Sequence, residues 1–167
     1  MTGYVLDCSS LIYLLEDFPK NLIPDMWELL KKCCQDGTFI SDKEAADELV
    51  NNLMDYENKI IEFIGDQKDF FRSISEEESL ILGKFIENGY FSAIPAIEYN
   101  MKTNLPISMP FLIVMAASQK RKLVIHDRNN NKEFIQKICD KEGIELISIL
   151  SCLNEIQNEH KEKKSGL

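Results

Sequence analysis

Histidine is scarce in this chain: there are two, His126 and His160, far apart in sequence. The five cysteines, Cys8, Cys33, Cys34, Cys139 and Cys152, form no C-x-x-C pair. Zinc needs clustered thiolates and imidazoles, so both shortages argue against a zinc site. An odd cysteine count without a secretion signal reads as reduced thiols. No apolar run approaches the roughly eighteen residues of a membrane span. The opening MTGYVLDCSS has neither a basic n-region nor an apolar h-region, so no signal peptide and a cytoplasmic location are expected. No glycine-rich turn follows the first apolar run, which disfavours a dinucleotide enzyme. Positive charge is in deficit. Nineteen Lys and Arg stand against twenty-eight Asp and Glu, for a net charge of −9. A general phosphate-binding surface wants the reverse, so passive coating of nucleic acid is disfavoured. An acidic chain still acts on nucleic acid when its carboxylates hold a divalent metal, or docks on a basic partner.

What is present describes a globular domain. The chain has 167 residues, 44% of them hydrophobic and 28% charged, which predicts one domain. Residues 1–160 are expected to form it, with 161–167 a polar, frayed tail. Short apolar runs at Tyr4–Leu6, Thr38–Ile40, Lys122–Ile125 and Glu145–Ser148 read as buried strands. Between them lie helical patterns. One is expected to be capped by Ser9 or Ser10 and to run to about Glu16, and one begins at Pro24, which suits a first turn. Ser41 and Glu44 have capping-box spacing ahead of Ala45, Leu49 and Leu53, and Ser75 and Glu78 repeat it. A short helix is expected over 58–64, another from Ser108, one over Lys132–Glu142, and a last from Ile149 to about His160. Strands alternating with amphipathic helices predict an α/β three-layer sandwich: a central parallel sheet of about four strands flanked by helices.

In such a sheet, ligands gather beyond the carboxyl ends of the strands. Asp7 ends the first strand and Asp127 follows the strand that starts at Lys122. The helix after the second strand carries Asp42, Glu44, Asp47 and Glu48. Carboxylates meeting from distant segments are what Mg²⁺ or Mn²⁺ takes as ligands. Two of them about 4 Å apart repel by roughly 4 kcal/mol at an effective dielectric near 20, so such a cluster needs a cation or a proton. Each acid alone also fits a turn, a cap or a solvated face. Helical periodicity does not choose between Asp47 and Glu48, and it turns Glu44 toward solvent. Lys120, Arg121 and Lys122 are the compact basic run, readable as a phosphate contact or as a solvated helix end. His126 beside Asp127 invites a general-base role, but a strand-end His is more often structural. An aspartyl phosphotransfer reading of Asp7 wants a second acid two residues on, and position 9 is Ser.

Four stretches carry a family resemblance. YVLDCSSLIYLLED resembles the opening of PIN-domain nucleases: strand, Asp, two small polar residues, helix. FISDKEAADELV resembles their second segment, with an acid in the helix after a strand. LPISMPFLIVMAASQKRKLVIHD resembles the third, and ELISILSCLNEI the final strand and helix. Within that superfamily the chain is similar to a VapC-like branch, itself a domain of unknown function. The resemblance implies a PIN-like fold and a metal-dependent ribonuclease using Mg²⁺ or Mn²⁺, and it points to the toxin of a toxin–antitoxin pair. Asp7, Glu48 and Asp127 match the family's metal-binding and catalytic acids, with Glu48 a better match than Asp47. Ser9 or Ser10 matches the small hydroxyl residue that supports the first acid. The implied partners are an RNA substrate and a DNA-binding antitoxin-like protein. A homo-oligomer is also expected, and no membrane. The third family acid usually sits immediately before Pro-aromatic, where this chain has Met109. A thioether is soft and neutral and does not serve Mg²⁺. Asn104 or Ser108 offers neutral oxygen there but no charge. Losing that acid makes a second metal harder to hold. It therefore opens a second expectation, a weakened or inactive module that binds a protein or RNA partner.

Overall fold

The computed structural model describes residues 2–18, 21–52, 69–92, 107–127 and 129–165. The helix expected over 58–64 and the candidate oxygen of Asn104 lie outside them. The described elements run in the order β1 (Tyr4–Leu6), α1 (Cys8–Asp17), α2 (Pro24–Gln35), β2 (Phe39–Asp42), α3 (Lys43–Asn52) and β3 (Phe71–Arg72). They continue with α4 (Glu76–Glu87), α5 (Met109–Gln119), β4 (Lys122–Ile125), α6 (Lys132–Glu142), β5 (Leu146–Ser148) and α7 (Ile149–Ser165). The last helix therefore continues into the segment expected to fray, as far as Ser165.

All five strands are parallel, in the spatial order β3-β2-β1-β4-β5. This is the expected α/β sandwich with one strand more than the pattern shows. The extra strand, β3, has only two residues, too few for any periodicity to register.

Alternation along the strands builds two cores. Tyr4, Leu6, Phe39 and Val124 enter one with α1, α2, α3 and α7. Val5, Ile40, Leu123 and Ile125 enter the other with α4, α5 and α6. Successive strand residues face opposite sides, so both faces are covered and the central strands are mostly apolar.

Local chemistry sets the helix ends. Pro24 sits in the first turn of α2, and Gly37, at φ 74°, takes the left-handed conformation beyond its end. Ser75 and Glu78 form the expected capping box on α4. The third helix corrects its expectation. Ser41 lies in β2 and its hydroxyl donates to the Leu6 carbonyl at 2.7 Å. Asp42 does the capping, accepting the Glu44 backbone N–H at 2.9 Å. A buried serine gains more by bridging two strands than by capping, because its hydroxyl has no water to bond.

Strand order reverses between β1 and β4. The chain winds outward through β2 and β3 on one side of β1, then returns to lay β4 and β5 on the other. In open parallel sheets such a reversal leaves a crevice beyond the strand ends.

Candidate functional site

Asp7 stands at this crevice, where β1 becomes α1. It is 2% exposed and caps the helix, accepting the Ser10 backbone N–H on Oδ1 at 2.8 Å. Its other oxygen, Oδ2, accepts the Ser9 hydroxyl and the Asn129 side-chain amide, the latter at 3.2 Å. Ser10 is buried, and its hydroxyl donates to the Val124 carbonyl at 3.3 Å, tying α1 to β4. Burial raises the Asp7 pKa above its ordinary 3.8, and the hydroxyl and amide donors only partly offset this.

Glu48 reaches the same place from α3. Its Oε1 accepts the Ser108 backbone N–H at 2.8 Å and its Oε2 accepts the Ser108 hydroxyl at 2.7 Å. Ser108, 2% exposed, thus grips both oxygens at the start of α5. Burial pushes the Glu48 pKa up as well, and repulsion from Asp7 adds to the rise. Cys8, beside Asp7, also interacts with Glu48: its thiol hydrogen-bonds the carboxylate, and burial with that negative charge pushes the thiol up. Asp7, buried, and Glu48, half-buried, therefore lie near enough for their carboxylates to repel one another, and the place they share is called the pocket. The structure separates the two residues that periodicity left level, since Asp47 is exposed and Glu48 faces inward. Glu44, expected to point to solvent, is half-buried, with the Ile107 backbone N–H donating to its Oε2 at 3.4 Å.

Asp127 does not join them. Its side chain is 53% exposed and pairs with Lys132 at 2.7 Å. The β4 side of the crevice is supplied instead by Asn129, two residues on. Among the described residues, no group of three His, Cys, Asp or Glu is placed to hold a metal ion. The donors that do converge are hard oxygens, the type Mg²⁺ and Mn²⁺ prefer. Mg²⁺ keeps several waters and is commonly bound through one or two carboxylates plus substrate phosphate. Asp7 and Glu48 offer two carboxylates of that kind. They do not make up the charge that a closely spaced pair of ions would need.

The remaining expectations are placed as follows. Met109 is half-buried against the α4–α5–α6 core. Lys120, Arg121 and Lys122 lie at the amino end of β4, the opposite sheet edge from Asp7. Arg121 donates to the carbonyls of Gly37 and Thr38 at 2.8 and 3.1 Å. Lys122 pairs with Glu145 and Glu155 at 2.7 and 2.9 Å. His126 stacks on Tyr13, with ring centroids 4.5 Å apart.

Sequence reasoning missed Asn129, and it offered Ser108 as a helix start and a neutral oxygen without its contact to Glu48. The NNN run was legible only as a loop, and nothing local marks a serine that bonds a carboxylate sixty residues earlier.

Comparison with known families decides the membership. A family model described as a domain of unknown function, DUF4411, matches residues 4–160. The protein belongs to the DUF4411 family. The match spans every strand and all the site residues named above, so this pocket lies within the DUF4411 domain. No curated protein matches the DUF4411 chain.

Proposed function

We propose that this protein is a PIN-like, metal-dependent ribonuclease whose site is built on Asp7 and Glu48. The observation that carries the reading is the convergence of a buried carboxylate, Asp7, and a half-buried one, Glu48, from separate elements, at the crevice where strand order reverses. Burying two acids together is costly unless a cation or proton accompanies them. An enzyme that hydrolyses phosphodiesters has a use for that arrangement. When bound, Mg²⁺ or Mn²⁺ supplies a Lewis acid that activates water and neutralises phosphate charge.

The chain's own groups do the rest. Ser9, Ser10 and Asn129 fix both oxygens of Asp7. Ser108 fixes both oxygens of Glu48. Rigid carboxylates at fixed positions are what orient a phosphodiester for attack. The roles of toxin in a toxin–antitoxin pair and of cytoplasmic enzyme belong to the same proposal. They are supported by the family resemblance and by the lack, among the described residues, of a helix long and apolar enough to cross a membrane.

A second reading has specific support. With Asp127 paired to Lys132 and Met109 in place of an acid, the pocket is short of two family carboxylates. That favours a PIN-like module which binds a partner and cuts slowly or not at all.

One experiment separates the readings. The purified chain is incubated with labelled single-stranded RNA and Mg²⁺ or Mn²⁺, beside Asp7→Asn. The nuclease reading expects cleavage that falls by roughly a hundredfold or more in the variant. It also expects a metal-dependent rise in melting temperature that the variant lacks. Cleavage unchanged in Asp7→Asn overturns the assignment. No cleavage and no metal response in the wild type leaves the second reading standing.

A further inference from the structure

Resting on the ribonuclease reading, we propose that Tyr13 and His126 form a stacking platform that seats a base of single-stranded RNA beside the Asp7–Glu48 pocket. The pair sits at the crevice by construction. Tyr13 lies one turn beyond Ser9 on α1, and His126 follows β4, so the two elements flanking the crevice each contribute a ring. Their centroids are 4.5 Å apart with planes inclined by 27°. The His126 backbone N–H donates to the Ser9 hydroxyl at 3.2 Å, and that hydroxyl donates to Asp7. One serine therefore joins the platform to the catalytic carboxylate. The Phe18 ring meets Tyr13 edge-on at 5.4 Å. Both Tyr13 and His126 are half-buried, so each is held by packing yet reaches solvent.

Charge gives the platform its purpose. With a net charge of −9, the chain is poorly suited to hold a polyanion by its backbone alone. Two of its three clustered basic residues, Arg121 and Lys122, are tied to carbonyls and carboxylates at the far edge of the sheet. Contact with bases replaces that attraction, because every base has a face that stacks on an aromatic ring. Duplex bases are already stacked inside the helix, so the platform selects single strands.

The test measures binding without cleavage. A fluorescein-labelled ten-nucleotide single strand of RNA is titrated with the full chain in EDTA, and its anisotropy is compared with that of the same sequence as duplex. The platform requires the single strand to bind more tightly than the duplex. It requires His126→Ala and Tyr13→Ala to weaken single-strand binding about tenfold or more, and His126→Phe and Tyr13→Phe to retain it. The phenylalanine variants keep the stack, so their binding distinguishes lost stacking from a damaged fold. Equal binding by the alanine variants and wild type overturns the platform, while metal-dependent cleavage in the separate assay would leave the ribonuclease reading intact. Loss of binding in the phenylalanine variants also overturns it, as does a wild type that prefers duplex or binds neither.

Discussion

Asp7 and Glu78 are buried almost equally, 2% and 3% exposed, yet the fold treats them in opposite ways. Glu78 joins β3, α4 and α5. The Arg72 guanidinium donates to both its oxygens at 2.6 and 2.9 Å. The Ser75 backbone N–H, the Ser118 hydroxyl and the Gln119 amide add bonds at 2.7, 2.9 and 2.9 Å. Arg72 holds the Glu78 carboxyl well below the usual carboxylate range. Among the described residues Asp7 has only hydroxyl and amide donors, and burial drives it the other way. Depth alone does not decide the charge state of a carboxylate; a fixed cation does. A carboxylate with its own arginine is a clasp. One held only by neutral donors retains its capacity for a cation from solution.

The strongest way to break this comparison is to remove the clasp. Glu78→Ala leaves Arg72, Ser118 and Gln119 without their shared acceptor. Losing one member of a buried pair costs about 3–5 kcal/mol, a large part of the stability of an ordinary domain. Urea denaturation of the variant should show its midpoint falling accordingly. A loss below about 1 kcal/mol would mean that Glu78 is no clasp.

At the pocket the corresponding loss is smaller. Ser108→Ala removes the hydroxyl donor to Glu48 and leaves the Ser108 backbone N–H. A hydrogen bond to a charged group is worth about 1.5–3 kcal/mol, so destabilisation in that range is expected, with Ser108→Thr restoring most of it. If the pocket does chemistry, cleavage by Ser108→Ala should fall further than stability explains, because Glu48 loses its orientation.

The pH dependence sharpens the contrast further. Glu78 has a lowered pKa in the folded chain, so its contribution is present above its ordinary 4.5 and lost as pH falls. Asp7 and Glu48 have raised pKa values, so the folded chain binds more protons than the unfolded one in their window. Stability must then decline as pH rises from their ordinary 3.8 and 4.5 through the raised values. Wild-type stability should therefore peak in mildly acidic solution. Glu48→Gln should flatten the decline on the alkaline side and leave the acid side unchanged. A wild-type profile that only rises from pH 4 to 8 would contradict the raised values.

How much of this was legible from the residues follows from the range of each interaction. Asp7 announced itself because a strand end and a helix cap are local patterns, and both occur in YVLDCSS. The parallel sheet was legible for the same reason, through short apolar runs separated by helical periods. Position 48 against 47 was not, since both flank the apolar face of α3. The resemblance favours Glu48, and the contact with Ser108 at the start of α5 is what turns it inward. The two-residue β3 lies below any periodic signal, and it is held by pairing with β2. Asn129 replaced the expected Asp127 because the β4–α6 turn, not the residue type, decides which side chain turns inward. Once Lys132 stands at the start of α6, Asp127 gains a partner at the surface and loses any need for burial.

That last substitution of one residue for another is testable with the smallest expected effect. The Asp127–Lys132 pair is exposed on both sides, 53% and 44%. Exposed pairs contribute at most about 1 kcal/mol, so Asp127→Asn should barely move the melting curve. Asn129→Ala removes a donor to Asp7, and its effect should appear in cleavage and in the metal response more than in stability. If Asp127→Asn abolishes cleavage while Asn129→Ala does not, the surface carboxylate must swing inward when substrate or metal binds. The pocket would then be completed by three acids after all. If Asn129→Ala is the damaging change, two carboxylates and an amide are the whole of the site, and Lys132 is the reason the third acid stays outside.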